Sequence, residues 1–243
     1  MTSEGAERPA LIVVAHGTSD ADGVATWEQI ADAVRGRVEV PVGLAYADVR
    51  APTIAEALSR IAAPAVVVPA FLASGYHVRT DIPAQVVATG RADVSVAPAL
   101  GPDAALVAVA AERLRQAGRR TGDAVVLGAA GSTDRQAQAE TDVAAAALSQ
   151  VLGVAVAPAA ISGEPPVAEV VARLRHDGAA RVAAACWLLA PGFFARSLVS
   201  GSGADLVAAP LGAHPEVAAS IVRRYDATVR LANAGDTPDG STR

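Results

Sequence analysis

Short apolar runs recur along the chain, each closed by a turn of Gly, Ser, Thr or Asp and followed by a longer amphipathic stretch. The first run, LIVVA at residues 11–15, passes through His16-Gly17-Thr18-Ser19-Asp20 into a helical pattern over 23–37. A strand that is apolar at every position suits a sheet covered on both faces, whereas an alternating strand would leave one face in water. The same pattern predicts strands near 42–47, 65–71 and 94–98, and helices near 53–62, 80–89 and 103–117. Regular alternation of strand and helix predicts a parallel sheet with helices on both faces.

The second half repeats this plan. Residues 124–127 are again apolar and lead through Ala129-Ala130-Gly131-Ser132-Thr133-Asp134 into a helix over 136–152. Pro52-Thr53-Ile54-Ala55-Glu56 is echoed by Pro165-Pro166-Val167-Ala168-Glu169, and Leu72-Ala73-Ser74-Gly75-Tyr76-His77-Val78-Arg79 by Leu189-Ala190-Pro191-Gly192-Phe193-Phe194-Ala195-Arg196. Ala99-Leu100-Gly101-Pro102 is echoed by Pro210-Leu211-Gly212-Ala213. Landmarks that keep their order and offset mark a duplicated, domain-sized unit, too long for a solenoid repeat. The expected architecture is α/β, with two similar lobes, each a four-stranded parallel sheet flanked by helices, over 10–117 and 123–232. A polar linker (AGRRTGD) joins them, and residues 1–9 and 233–243 read as flexible tails.

Composition narrows the function. The 243 residues are 52% apolar and 19% charged, enough to bury a large core in one or two compact domains. The net charge is −5, and all 20 basic residues are scattered arginines, so no stripe for a nucleic-acid backbone exists. The lone cysteine, Cys186, excludes an internal disulfide framework and a cysteine zinc cluster. Residues 1–9 are polar and acidic, unlike a signal peptide, and the apolar run at 62–73 carries Pro64 and Pro69 and is too short for a bilayer. A cytoplasmic protein engaging neither nucleic acid nor membrane is expected.

Of four histidines, two sit where an open α/β sheet places ligands, at the carboxyl ends of strands. His16 follows the first strand and His77 the third. In the usual doubly wound order those ends are neighbours, and two imidazoles would share one crevice. Imidazole binds Fe²⁺, Co²⁺, Ni²⁺ and Zn²⁺ and, with an ordinary pKa near 6.5, accepts protons. The plainer reading is two solvated or capping side chains. His176 precedes Asp177-Gly178 at a helix end and reads as structural; His214 reads as a surface residue before a helix. Asp48, after the second strand, is either a third ligand or proton carrier or the cap of a helix starting near Pro52. His-Gly-Thr resembles part of the Arg-His-Gly motif of histidine phosphatases, but Ala15 stands where their phosphate-binding Arg would. No P-loop, dinucleotide fingerprint or nucleophile–His–acid set occurs.

Together, the strand into Ala15-His16-Gly17-Thr18-Ser19-Asp20, the Asp48-x-x-x-Pro52 step, the run VVPAFLASGYHVRTDIP ending at Pro83, and Leu100-Gly101-Pro102 resemble the class II chelatases. These put a divalent metal into sirohydrochlorin in the siroheme and cobalamin pathways. The resemblance covers about residues 10–230, in the two-lobed form of the family. It implies lobes facing across a cleft, no organic cofactor, a tetrapyrrole partner and a divalent metal as substrate. Siroheme being the commoner need favours Fe²⁺ over Co²⁺, and a duplicated chain that can form its cleft internally favours a monomer. By carry-over, His16 and His77 match the metal-binding histidines and His16 the proton acceptor. Asp48 falls where many members carry Glu, and Leu72, Ala73, Ser74, Gly75 and Tyr76 match the macrocycle-binding loop.

The residue types suit the chemistry. Two imidazoles desolvate a borderline metal yet leave positions open for ring nitrogens. The substrate carries eight carboxylates, which backbone N–H groups at Gly17, Thr18, Ser19, Ser74 and Gly75 can receive near helix N-termini. Arg50 and Arg79 are further candidate partners. Aligning the repeats sets Ala130 opposite His16, Phe194 opposite His77 and Ile161 opposite Asp48, so only the first lobe is expected to be catalytic. Trp187 is expected to pack the core, while Phe194 could pack or stack on a ring. The competing class is a carrier that delivers metal or tetrapyrrole without catalysis.

Overall fold

Every residue of β1, Ala10–Ala15, is buried in the computed structural model, which describes residues 8–235. Leu11, Val13 and Ala15 pack into one apolar cluster and Ala10, Ile12 and Val14 into another, because successive strand side chains point to opposite faces. The unbroken apolar run therefore has a partner layer on each side.

The chain continues through α1 (Ala21–Arg35), β2 (Val42–Tyr46), α2 (Ile54–Ser59) and β3 (Ala65–Pro69). A single π-helical turn, His77–Asp81, then runs into α3 (Ile82–Ala88), followed by β4 (Val94–Val96) and α4 (Ala104–Gln116). The second half gives β5 (Ala124–Ala129), α5 (Arg135–Leu152), β6 (Val156–Ala160), α6 (Val167–His176), β7 (Val182–Trp187), α7 (Phe193–Gly201), β8 (Leu206–Val207) and α8 (Pro215–Gly235). Two parallel four-stranded sheets result, ordered β2-β1-β3-β4 and β6-β5-β7-β8, as the duplicated pattern predicts. The N-caps of α1 and α5 are the equivalent Asp20 and Asp134, whose carboxylates accept N–H bonds from Gly23 and from Gln136 and Ala137. Thr53 and Glu56 form a capping box on α2, so Asp48 does not cap that helix.

The two halves exchange their last helices. α4 packs on α5 and on β7 of the second sheet, and α8 packs on α1 and β3 of the first. Helices α1, α4, α5 and α8 thus form a middle layer whose apolar side chains merge with the inner faces of both sheets into one cluster. Smaller clusters under α2 and α3, and under α6 and α7, cover the outer faces. Polar contacts repeat the exchange with two-fold logic. Arg113 of α4 donates to the Leu211 carbonyl at 2.7 Å, while the equivalent Arg224 of α8 donates to the Ala99 and Leu100 carbonyls at 2.8 and 2.9 Å. Asp103 accepts the Ala105 N–H and pairs with Arg223, and His214 accepts the Glu216 N–H and faces Glu112 at 3.4 Å. His214 is therefore a half-buried helix cap, not a free surface residue.

Helix α8 runs through 233–235, taking in the start of the expected tail. Arg8 pairs with Asp226, and the Tyr225 hydroxyl donates to the Pro9 carbonyl, so residues 8–9 are tied down; the remaining tail residues lie outside the described ones. Cys186 is buried at the back of β7, and burial pushes its thiol up to about 12, removing it as a nucleophile near neutrality.

Gly17 and Gly131 occupy equivalent turns with φ of 110° and 101°, where an added Cβ would stand 2.0 Å from the Asp48 carbonyl oxygen and 1.9 Å from that of Ser162. Gly131→Ala is expected to destabilise the protein by roughly 2 kcal/mol or more, combining left-handed strain with a backbone clash. Urea unfolding checks this, and an unchanged midpoint would show that the turn can relax.

Candidate metal centre

β1 and β3 are adjacent, with Val14 in register with Pro69, so their carboxyl ends open side by side. His16 follows β1 directly, and His77 begins the π-helical turn beyond β3. Their ring centroids lie 4.7 Å apart with planes at 89°, and Phe71 sits 6.1 Å from each. Both imidazoles line a cleft of about 670 Å³ between the lobes, within the size range of small-molecule sites.

The loop that carries His77 is fixed from below and from across the cleft. The Leu100 and Gly101 N–H groups donate to the Phe71 carbonyl, and a Cβ on Gly101 would stand 2.2 Å from the Leu72 carbonyl oxygen. That close approach is the physical role of the Leu100-Gly101-Pro102 step. The Ser74 N–H donates to Glu140 of α5, and Gly75 faces Ser132 and Ala137. Reciprocally, Gly192 faces Thr18, and Gly23 of α1 lies against the Pro191 carbonyl.

Of the expected macrocycle residues, Gly17, Thr18, Leu72, Ala73, Gly75 and Tyr76 line the cleft. Ser74 does not, its N–H being committed to Glu140. Asp48 also stands apart. Its backbone N–H donates to the His16 carbonyl at 2.9 Å, but its carboxylate turns to accept the Val49 N–H at 2.7 Å. Among the described residues no group of three or more His, Cys, Asp or Glu side chains gathers to hold a metal ion, so a His16–His77–Asp48 set is not assembled. Val49, exposed and lining the cleft, adopts a φ of 70°, a left-handed conformation that β-branched side chains resist. Arg50 reaches the Thr18 carbonyl and lies over the Tyr46 ring, and Arg79 pairs with Asp134 at 3.2 Å across the lobes; neither lines the cleft.

Asp81 is the residue that sequence reasoning missed. His77 Nδ1 lies 2.8 Å from its Oδ2, while Gln85 donates to its Oδ1 at 3.0 Å and to the Ala47 carbonyl at 2.9 Å. Burial raises the Asp81 pKa, but hydrogen bonds from Gln85 and His77 outweigh it and hold the group below its ordinary value. An ionised carboxylate only accepts, so Nδ1 carries the ring proton and Nε2 keeps the lone pair a metal needs. The signal lay in the spacing of His77 and Asp81, but a helix starting near residue 80 left His77 in a turn. The Ile82 N–H instead bonds the His77 carbonyl five residues back, bringing both side chains into one helical turn.

In the second lobe Ala130 and Phe194 occupy the positions of His16 and His77, and both line the cleft. Ser162, not Ile161, stands opposite Asp48: its N–H donates to the Ala130 carbonyl just as the Asp48 N–H donates to that of His16. Trp187 is 2% exposed within the central cluster, as expected of a packing residue.

A CbiX family model matches residues 10–117 and, a second time, residues 124–228. The chain belongs to the CbiX family. The two matched segments lie one in each half of the chain. A sirohydrochlorin cobaltochelatase of Methanothermobacter thermautotrophicus is 34% identical over 89 residues, 34% of this chain and 62% of that enzyme. The chain thus spans less than two thirds of that relative's length. SirB from Bacillus subtilis with Fe³⁺ superposes with a TM-score of 0.79 at 21% identity, covering 94% of this chain and 98% of SirB. SirB from Bacillus subtilis subspecies spizizenii in complex with cobalt gives 0.75 at 20% identity over the same shares. At that identity the likeness establishes the two-lobed CbiX fold.

Asp81→Asn is expected to weaken Co²⁺ binding roughly 10- to 100-fold by calorimetry, the usual cost of removing the group that orients a metal-binding imidazole. Because the folded carboxyl titrates below its unfolded value of about 3.9, its stabilising effect is complete above that pH and is lost as pH falls through the folded value. The melting-temperature gap between wild type and Asp81→Asn should be constant above about pH 5 and close on acidification. Equal Co²⁺ affinity in the two proteins would remove Asp81 from the site.

Proposed function

We propose that the chain is a sirohydrochlorin chelatase, inserting Fe²⁺ or Co²⁺ into a tetrapyrrole held in the inter-lobe cleft, as a cytoplasmic monomer without an organic cofactor. The observation that carries this reading is the imidazole pair, 4.7 Å between ring centroids, at two neighbouring strand ends inside the cleft. The name of the cobaltochelatase relative and the metals bound to the two SirB structures support the same substrate class. A single chain supplies both walls, and no helix among the described residues is long and apolar enough to cross a membrane.

The residues present divide the work. His77, oriented by Asp81, offers Nε2 to the metal. His16 has Nδ1 3.3 Å from the Gly17 carbonyl, which can only accept, so Nε2 is again the free donor. Two neutral donors displace part of the metal's water and leave positions for ring nitrogens, where a complete tetrahedral set would retain the ion. The ring must shed two pyrrole protons as the metal enters. Once the metal passes to the ring, the His16 Nε2 lone pair is free to take one of them, and solvent water in the open cleft takes the other. The imidazoles accept Fe²⁺ and Co²⁺ alike, so the metal is decided by assay.

Anaerobic incubation of sirohydrochlorin with Fe²⁺, Co²⁺ and Ni²⁺ in parallel, at substoichiometric protein, tests the reading through the visible spectrum. Many turnovers per chain are expected; saturation at one equivalent would identify a carrier instead. His16→Ala and His77→Ala should each lower the insertion rate by about 10²–10⁴-fold while the fold survives. Ala130→Gly and Phe194→Leu should have far smaller effects. Near-normal turnover in either histidine variant at saturating metal would contradict the site.

A further inference from the structure

Four of the chain's eight aromatic residues outside histidine line the cleft without being buried in the core: Phe71, Tyr76, Phe193 and Phe194. In a chain only 3% aromatic, that concentration fits a flat apolar ligand. Tyr76 and Phe193 hold equivalent positions in the two repeats, and both are largely exposed, at 65% and 71%. The charge on the walls is less even. Asp142 and Glu164 line the cleft, and Arg196 is the one arginine among the described residues that does.

Arg196 and Phe193 lie one turn apart on α7, at i and i+3, and so share a helix face. The guanidinium pairs with Asp20 across the lobes, yet the Arg196 side chain is 65% exposed and that of Asp20 only 12%. Asp20 is already committed as the N-cap of α1. The arginine is therefore held at the cleft by one carboxylate while much of it stays open to another. Its repeat equivalent, Arg79, makes the same kind of pair with Asp134 but does not line the cleft. The two-fold relation is thus broken in charge as well as in imidazoles.

We propose that the first turn of α7 is the anchor for the tetrapyrrole's periphery, with Arg196 receiving a ring carboxylate and Phe193 covering the adjacent ring face. The lobe that brings no histidine to the cleft then determines which macrocycle is held, and the other lobe places the metal. This rests on the chelatase reading, but its test reads ligand binding and needs no turnover. A guanidinium matches a carboxylate bidentately, so an incoming carboxylate competes directly with Asp20 for Arg196.

The experiment is fluorescence titration of the full chain with uroporphyrin, an octacarboxylate tetrapyrrole, with Co²⁺ calorimetry alongside. Arg196→Gln and Phe193→Ala should each weaken uroporphyrin binding roughly tenfold, the scale of losing a charged hydrogen bond or an aromatic contact, and leave Co²⁺ affinity unchanged. Arg196→Lys should recover part of the loss. Arg79→Gln should stay within about twofold of wild type, because its ion pair lies off the cleft lining. Unchanged uroporphyrin affinity in Arg196→Gln, or equal losses in Arg79→Gln and Arg196→Gln, would reduce the arginines to inter-lobe clasps and overturn the inference. Wild type that fails to bind uroporphyrin would overturn it too, while Co²⁺ binding would report on the histidine pair independently.

Discussion

The exchange of α4 and α8 is the constraint on which the site depends. A cleft between two separately packed lobes would vary in width, since each lobe could tilt without exposing its own core. Here each terminal helix buries its apolar face against the opposite sheet, so separating the lobes would open the central cluster to water. The reciprocal arginine contacts, Arg113 to the Leu211 carbonyl and Arg224 to the Ala99 and Leu100 carbonyls, fasten the same layer where α4 and α8 meet the opposite repeat. The cleft walls are then set by a shared core and not by surface ion pairs. That suits a reaction in which a metal and a rigid ring must meet at fixed separation.

On this two-fold frame the chemistry is one-sided. The strand–turn–helix frames, the left-handed glycines and the aspartate caps are kept in both halves, because each answers to backbone geometry. Among the described residues the cleft-lining imidazoles, His16 and His77, belong to one half only, with Ala130 and Phe194 at the equivalent positions of the other. Two like metal sites facing each other across one ring would compete for the same four nitrogens. A single site leaves the facing wall free to hold and screen the macrocycle, and the aromatic lining of the second lobe suits that use.

The fold was legible because its signals are local and repeated. Unbroken apolar strands, caps at Asp20 and Asp134, and landmarks at constant offset specify two parallel sheets without knowledge of long-range contacts. The adjacency of His16 and His77 followed from the usual strand order. What escaped was set by side-chain direction and tertiary exchange. Asp48 looked well placed, but its carboxylate bonds the Val49 N–H, and nothing in the residue pattern announces a valine at positive φ. Asp81 was hidden by a helix boundary misplaced by three residues, the difference between an α start and a π-helical turn. The one-residue slip between Ile161 and Ser162 arose because the loops that follow β2 and β6 share no motif. Helix exchange cannot be seen in a repeat, since the pattern is identical whichever sheet a helix covers.

The central claim is that one metal ion per chain is held by Nε2 of His16 and Nε2 of His77, in the first lobe only. Anomalous diffraction at the cobalt edge, on crystals of the full chain soaked in Co²⁺, tests it most directly. The account predicts one cleft peak, about 2.1 Å from both Nε2 atoms, with His77 Nδ1 still bonded to Asp81. A second peak of equal height beside Ala130 and Phe194, or a cleft peak bound by neither imidazole, would contradict it.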